Sequence, residues 1–161
     1  MTSQGAAAAA EPLDCLPRHP NPAVLAAQVQ ARLELVLELA AAGDEAGLRA
    51  IFAERSQVDA FAIDPPLTPP GNGAREAVGS PARGFAPIVQ QFEGFTVRLD
   101  PISLVGVLRD DSGRETAGVG PLLRQARPRE GVGVSFAGGG KAVIDCETGQ
   151  VLRLLLSPFP H

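Results

Sequence analysis

The sequence predicts an α+β fold in which helices cover one face of a curved antiparallel sheet. Three observations predict it. The first half carries apolar residues at helical spacing, with cap and stop residues at the ends of the runs. The second half alternates apolar and polar residues between hairpin turns. Finally, 18 Gly and 15 Pro among 161 residues supply many turns and irregular connections.

Residues 1–20 read as a flexible tail: the Ala6–Ala10 tract has nothing with which to build a core, and Pro12, Pro17 and Pro20 punctuate the residues after it. Residues 21–161 then form a single domain. Asn21-Pro22 opens a helix over residues 23–42, with Leu25, Val29, Leu33, Val36, Leu37 and Ala40 on one face and Leu35 and Leu39 widening the stripe. Gly43 stops it. Asp44 caps a second helix, whose buried stripe of Leu48, Ile51 and Phe52 runs through about Glu54. Residues 57–63 alternate as a strand, and residues 64–84 form a Pro/Gly-rich connection of a length that often borders a site. Residues 85–92 form a third helix, burying Ile88, Val89 and Phe92. Strands follow at 95–99 and, after a bend at Pro101, at 102–108. Asp110-Asp111-Ser112-Gly113 makes a hairpin turn, and further strands occupy 116–126, 131–145 and, after Glu147-Thr148-Gly149, 150–157.

Composition narrows the function. A net charge of −4 disfavours a nucleic-acid partner. No run of about 18 apolar residues is present to span a membrane. The first residues lack the basic and bulky apolar regions of a signal peptide, so the expected location is cytoplasmic. The two cysteines, Cys15 and Cys146, form no C-x-x-C pair, and their spacing offers neither a disulfide framework nor a zinc pattern. With no Tyr and no Trp, a phenolic acid and an indole stacking platform are excluded. His19 and His161 lie in exposed, near-terminal contexts, leaving no core imidazole for a nucleophilic pair. No cofactor and no metal are expected.

Three motifs occur in order. Ala42-Gly43-Asp44-Glu45-Ala46-Gly47-Leu48-Arg49-Ala50-Ile51-Phe52-Ala53 is similar to an A-G-D-x-x-G-[LI]-x-x-[LI]-F-A helix junction. Asp64-Pro65-Pro66-Leu67-Thr68-Pro69-Pro70 resembles a D-P-x-G-T-P-P loop, and Gly149-Gln150-Val151 is similar to G-[KR]-[IV] at the start of a final strand. Over residues 23–158 the chain thereby resembles the nuclear transport factor two-like superfamily, which includes ketosteroid isomerase and SnoaL-like cyclases. The resemblance implies a cone-shaped curved sheet with three helices on its concave face, an apolar pocket, and dimerisation through the sheet. It also places the family's carboxylate base at Asp64, although extra residues after Phe52 keep Asp59 as a second frame. Strand alternation puts Asp64 on the face of Val58, Ala60 and Ala62, with Asp59 opposite. The family's Tyr has no counterpart, and its second Asp falls near Gly140 or Lys141, so a true steroid isomerase is not expected. Lys141 becomes the candidate oxyanion donor and Asp100, before the Pro101 bend, the candidate second acid. Phe61, Phe92 and Ser135 are the expected ligand contacts.

Each of these residues also has a plainer reading. An Asp before Pro starts turns through its own side chain, and a strand Lys is usually solvated. Gly138-Gly139-Gly140-Lys141 lacks the remaining residues of a phosphate loop, since Ser135 and Ala142 stand where Gly and Ser or Thr are required, and it reads better as sheet curvature or close backbone approach. Arg98, Arg109, Arg124 and Arg127 are candidate cavity cations among which periodicity does not choose, and residues 124–129 form the one basic cluster. The last strand, Val151-Leu152-Arg153-Leu154-Leu155-Leu156, is apolar on both faces, which agrees with a homodimer through the sheet. Two functions stand on this reading. One is a cofactor-independent enzyme whose carboxylate base isomerises, cyclises or dehydrates a hydrophobic polyketide- or terpenoid-like molecule. The other is a non-catalytic ligand-binding or dimerisation module of the same fold.

Overall fold

The computed structural model describes residues 11–15, 21–56, 58–67, 76–128 and 136–158, with the side chains of 123–128 and 136 excepted. Its helices are α1 (Pro22–Ala41), α2 (Glu45–Ile51) and α3 (Ala86–Phe92). The strands are β1 (Phe61–Ile63), β2 (Ala77–Gly79), β3 (Phe95–Leu99), β4 (Gly106–Arg109), β5 (Glu115–Val119), β6 (Leu122–Pro128), β7 (Phe136–Asp145) and β8 (Val151–Pro158). The caps are those the sequence predicts. Asn21 Oδ1 accepts from Ala23 N–H at 3.0 Å and Asp44 Oδ1 from Gly47 N–H at 2.8 Å, while Gly43 takes the left-handed φ of +74° that ends α1.

The strands form one sheet running β2-β1-β8-β7-β5-β4, with β6 also against β7 and β3 beyond it. The sheet is mixed rather than antiparallel, because β1 runs parallel to β8. The cause lies at the end of α2. Phe52 turns extended and bridges Val151, Ala53 N–H donates to the Val151 carbonyl at 3.0 Å, and Leu154 N–H to the Ala60 carbonyl at 2.6 Å. The chain therefore lies beside β8 at Phe52–Ala53 and again from Ala60 to Ile63, and α2 stops at Ile51 instead of near Glu54.

Other boundaries also move. The strand expected over 57–63 is confined to 61–63, with Val58 exposed beside buried Ala60 and Ala62, so the alternation used to prefer Asp64 over Asp59 does not extend through this segment. The long connection after Asp64 contains β2, which pairs with β1. The expected strand over 116–126 is split at Gly120-Pro121, so that β5 joins β4 to the C-terminal half of β7 while β6 joins β3 to its N-terminal half. The glycines of β7 permit close approach: a Cβ at Gly138 would lie 2.5 Å from the Ser157 carbonyl oxygen, and one at Gly140 would collide with that of Leu155.

Beneath the helices, Leu33, Val36, Leu48, Ile51, Ile63, Ile88, Ile144 and Leu154 are buried. Phe52, Phe61, Phe85 and Phe92 join them in a ring cluster, with centroids 5.8 Å apart for Phe52–Phe61, 5.2 Å for Phe52–Phe85 and 5.7 Å for Phe61–Phe92. Full burial of each ring is worth about 2–3 kcal/mol, so this cluster holds α2, β1 and α3 together.

Residues 11–15 correct two expectations. They are not a free tail: Leu13 and Cys15 are buried, and Leu13 N–H donates to the Cys146 carbonyl at 2.9 Å. Asp14 and Gln28 of α1 exchange hydrogen bonds, and the buried Arg32 guanidinium donates to the carbonyls of Gly149 and Glu11. Burial pushes the Arg32 pKa below its ordinary value, partly offset by Glu11. Cys15 and Cys146 form a disulfide, with Cα atoms 5.8 Å apart across 131 positions of sequence. Their spacing gave no hint of it, because the pairing depends on β7 ending beside the N-terminal segment. Closing so large a loop removes denatured-state entropy worth up to about 5 kcal/mol. Cys15→Ser, or reduction of the wild-type chain, is therefore expected to lower unfolding stability by about 2–5 kcal/mol. Denaturant titration checks this, and thiol quantification should find neither cysteine free before reduction.

Candidate functional site

The residues singled out from sequence are dispersed. Asp64 follows β1, with its N–H donating to the Leu156 carbonyl at 3.0 Å and its side chain exposed. Asp100 follows β3, half-buried, its N–H bonded to the Leu122 carbonyl at 2.9 Å. Lys141 lies on β7 opposite Leu155; it is exposed, whereas the next pair, Ala142 and Leu154, is buried under the helices. No two of the strands β1, β3 and β7 are neighbours in the sheet. Phe61 and Phe92 do meet, but with no accessible surface at all, so they fill the core rather than line a cavity. Asp59 faces Arg153 across 3.7 Å at the surface. Ser135, the tail at 1–10 and 16–20, the Thr68-Pro69-Pro70 end of the loop motif and the side chains of Arg124 and Arg127 lie outside the described residues. Of the other two candidate cations, Arg98 is exposed and Arg109 pairs with Glu115 at 2.7 Å on an exposed hairpin.

Among the described residues, two surface recesses gather polar and apolar side chains instead. The first is a groove of about 720 Å³ between the start of α1 and the segment after β3. Ala23, Ala26, Ala27, Leu99, Pro101 and Ile102 make its walls apolar, and Gln30 and Glu34 give it a polar edge. Gln30 is fixed at both ends of its amide: Oε1 accepts from Ile102 N–H at 2.7 Å and Nε2 donates to Glu34 at 2.8 Å. The groove is within the size range of small-molecule sites, and Asp100 immediately precedes its Pro101 wall.

The second recess lies beside the β7–β8 turn, around Asp145. This carboxylate is 1 % exposed. Its Oδ1 accepts from Glu147 N–H at 2.9 Å and Thr148 N–H at 3.4 Å, and its Oδ2 from Arg55 at 2.5 Å and Arg114 at 2.9 Å. Sequence reasoning passed over Asp145, Arg55 and Arg114. The Glu147-Thr148-Gly149 run before β8 did signal a turn, but only folding brings the two arginines to it. At the neighbouring hairpin, Asp110 Oδ1 accepts from the Ser112 hydroxyl and N–H and from Arg114 N–H. These bonds pull its pKa below the ordinary value, the Ser112 hydroxyl having the largest effect. Among the described residues no three His, Cys, Asp or Glu side chains gather as metal ligands, and no helix is long and apolar enough to cross a membrane.

Helices laid across one face of a curved, unclosed mixed sheet define the class, and the architecture is the nuclear transport factor two-like fold. A solved structure from Streptomyces avermitilis, a nuclear transport factor two-like family protein provisionally named a dehydratase, is similar over 88% of this chain and 100% of its own, with a TM-score of 0.51 at 16% identity. A ketosteroid isomerase-like protein from Erwinia carotovora atroseptica matches 84% of this chain and 96% of its own, with a TM-score of 0.41 at 13% identity. A protein from Xanthomonas campestris provisionally named a polyketide cyclase matches 81% and 90%, with a TM-score of 0.38 at 18% identity. The fold assignment rests on the first of these. No family model and no curated protein matches the sequence.

Asp145→Asn is expected to cost about 2–4 kcal/mol, since it leaves two guanidiniums facing a neutral amide. Chemical denaturation measures it, and a loss below about 0.5 kcal/mol would mean that the arginines are fully solvated. Phe61→Ala should cost about 3–5 kcal/mol by the same measurement, as expected of a core ring.

Proposed function

We propose that this chain binds a small hydrophobic molecule in the groove between α1 and the segment after β3, without transforming it. The observation that carries this reading is the groove itself: apolar walls, a polar edge made rigid by Gln30, and a volume of about 720 Å³. The enzyme reading asks for a carboxylate base inside an apolar pocket with a donor opposite it. Asp64 and Lys141 are both exposed, one just after β1 and the other on β7, which are not neighbours, and Phe61 and Phe92 are sealed in the core. Those positions weigh against Asp64, Asp100 and Lys141 acting as one acid–base set.

Ala27 is exposed at the groove wall, so Ala27→Trp fills the groove without entering the core. Titration with a fluorescent apolar probe is expected to show about tenfold weaker binding to Ala27→Trp and unchanged binding to Asp64→Asn. Turnover of an isomerisable ketone that Asp64→Asn abolishes would restore the enzyme reading.

Two further readings belong to this proposal. Leu152, Leu155 and Val143 are only half-buried, with Lys141 and Arg153 exposed nearby on the sheet, which supports a homodimer through its outer face. Sedimentation equilibrium of the full chain should return twice the chain mass, and Leu155→Glu a single chain. The disulfide supports work in an oxidising compartment and weighs against the cytoplasmic location expected from composition.

A further inference from the structure

The recess beside the β7–β8 turn has a volume of about 490 Å³, and Arg49, Arg55 and Arg114 are among the residues that line it. Arg55 and Arg114 share one oxygen, Asp145 Oδ2, at 2.5 and 2.9 Å, so two positive charges are held close together against one negative charge. Asp145 has no capacity to offset more, since its other oxygen is taken by the N–H groups of Glu147 and Thr148. Arg49 donates to the Pro81 carbonyl at 2.6 Å, a neutral acceptor that anchors the side chain and leaves its charge in place. Glu54, exposed, is the other carboxylate of the lining. The lining thus sets three cations against two anions, with Asp110 of the neighbouring hairpin also facing the Arg114 charge.

We propose that this recess is a binding site for a small dianion of the phosphate or phosphate-monoester class, held by Arg49, Arg55 and Arg114. The three arginines are carried by α2, by the turn after it and by the residue before β5, so three separate segments supply positive charge to one recess. A tetrahedral oxyanion presents oxygens to all three, whereas a planar carboxylate is matched by one fork. Each guanidinium has five N–H groups, and the bonds to Asp145 and Pro81 use only a few of them. Those same bonds position the arginines before the ligand arrives, which lowers the ordering cost of binding. Arg55 and Arg114 are 44% and 33% exposed, so their heads remain within reach from water. Thr148 and Gln150 on the same wall add neutral donors.

The test is a titration of the full chain with inorganic phosphate at constant ionic strength, followed by amide chemical shifts. Saturable shifts concentrated at Arg49, Arg55, Arg114, Thr148 and Gln150 are expected. Arg49→Gln should weaken binding about tenfold, and Glu54→Gln should strengthen it. Neither residue is bonded to Asp145, so both variants retain the ion pairs beneath the site. The proposal is overturned if chloride reproduces the shifts, if Arg49→Gln binds as the wild type does, or if Glu54→Gln weakens binding. Tighter binding of succinate than of phosphate would overturn the assignment to the phosphate class. The groove at α1 is lined by none of these residues, so its ligand and this one fail or succeed separately.

Discussion

The turn between β7 and β8 is where the separate parts of this chain are tied together, and the Asp145 side chain is its centre. One buried carboxylate accepts from two turn N–H groups and two guanidiniums, which join the segment after α2 and the start of β5 to the end of β7. The neighbouring residues extend the same junction. Cys146 is bonded to Cys15, the Gly149 carbonyl accepts from Arg32 of α1, and Val151 bridges Phe52 at the end of α2. Such a carboxylate is tolerable in the interior only because every lone-pair direction has a donor. Residues far apart in sequence must therefore arrive together, and the parallel entry of β1 beside β8 results from that arrival.

A core filled in this way leaves these recesses at the surface. The four phenylalanines that could have lined a cavity are spent on one another, and the helices above them close the inner face. Among the described residues, the recesses between elements include an apolar one where α1 meets the chain after β3 and a cationic one beside the β7–β8 turn. They differ in chemistry because they differ in what shapes them. The first is made by small residues, Ala23, Ala26 and Ala27, that leave room above a helix. The second is made by arginines drawn inward to neutralise a buried carboxylate, and it keeps a surplus of positive charge as a consequence.

Much of the fold was legible in the sequence. The three helices lie where periodicity put them, apart from an earlier end to α2, and the first two start at their caps because Asn21-Pro22 and Asp44 act through bonds to residues no more than a few positions away. The Asp110–Gly113 turn was legible for the same reason, as was the close packing allowed by Gly138 and Gly140. The site was much less legible. Motif order pointed to Asp64, but a motif names a position in the chain and says nothing of whether its side chain is wet or dry. Parity offered no correction, since alternation informs only where a strand continues and here it begins at Phe61.

The sequence by itself determined what local chemistry can determine: the α+β class, the order of the helices, the caps and turns, and the absence of a phenol or indole for any mechanism. Only the tertiary structure decided the parallel pairing of β1 with β8, the Cys15–Cys146 bond, the burial of Phe61 and Phe92, and the gathering of Arg55 and Arg114 on Asp145. Each of these joins residues whose separation in sequence carries no signal. Their meeting depends on how the helices and strands pack, and periodicity along one strand or helix holds no record of which other segment will lie against it.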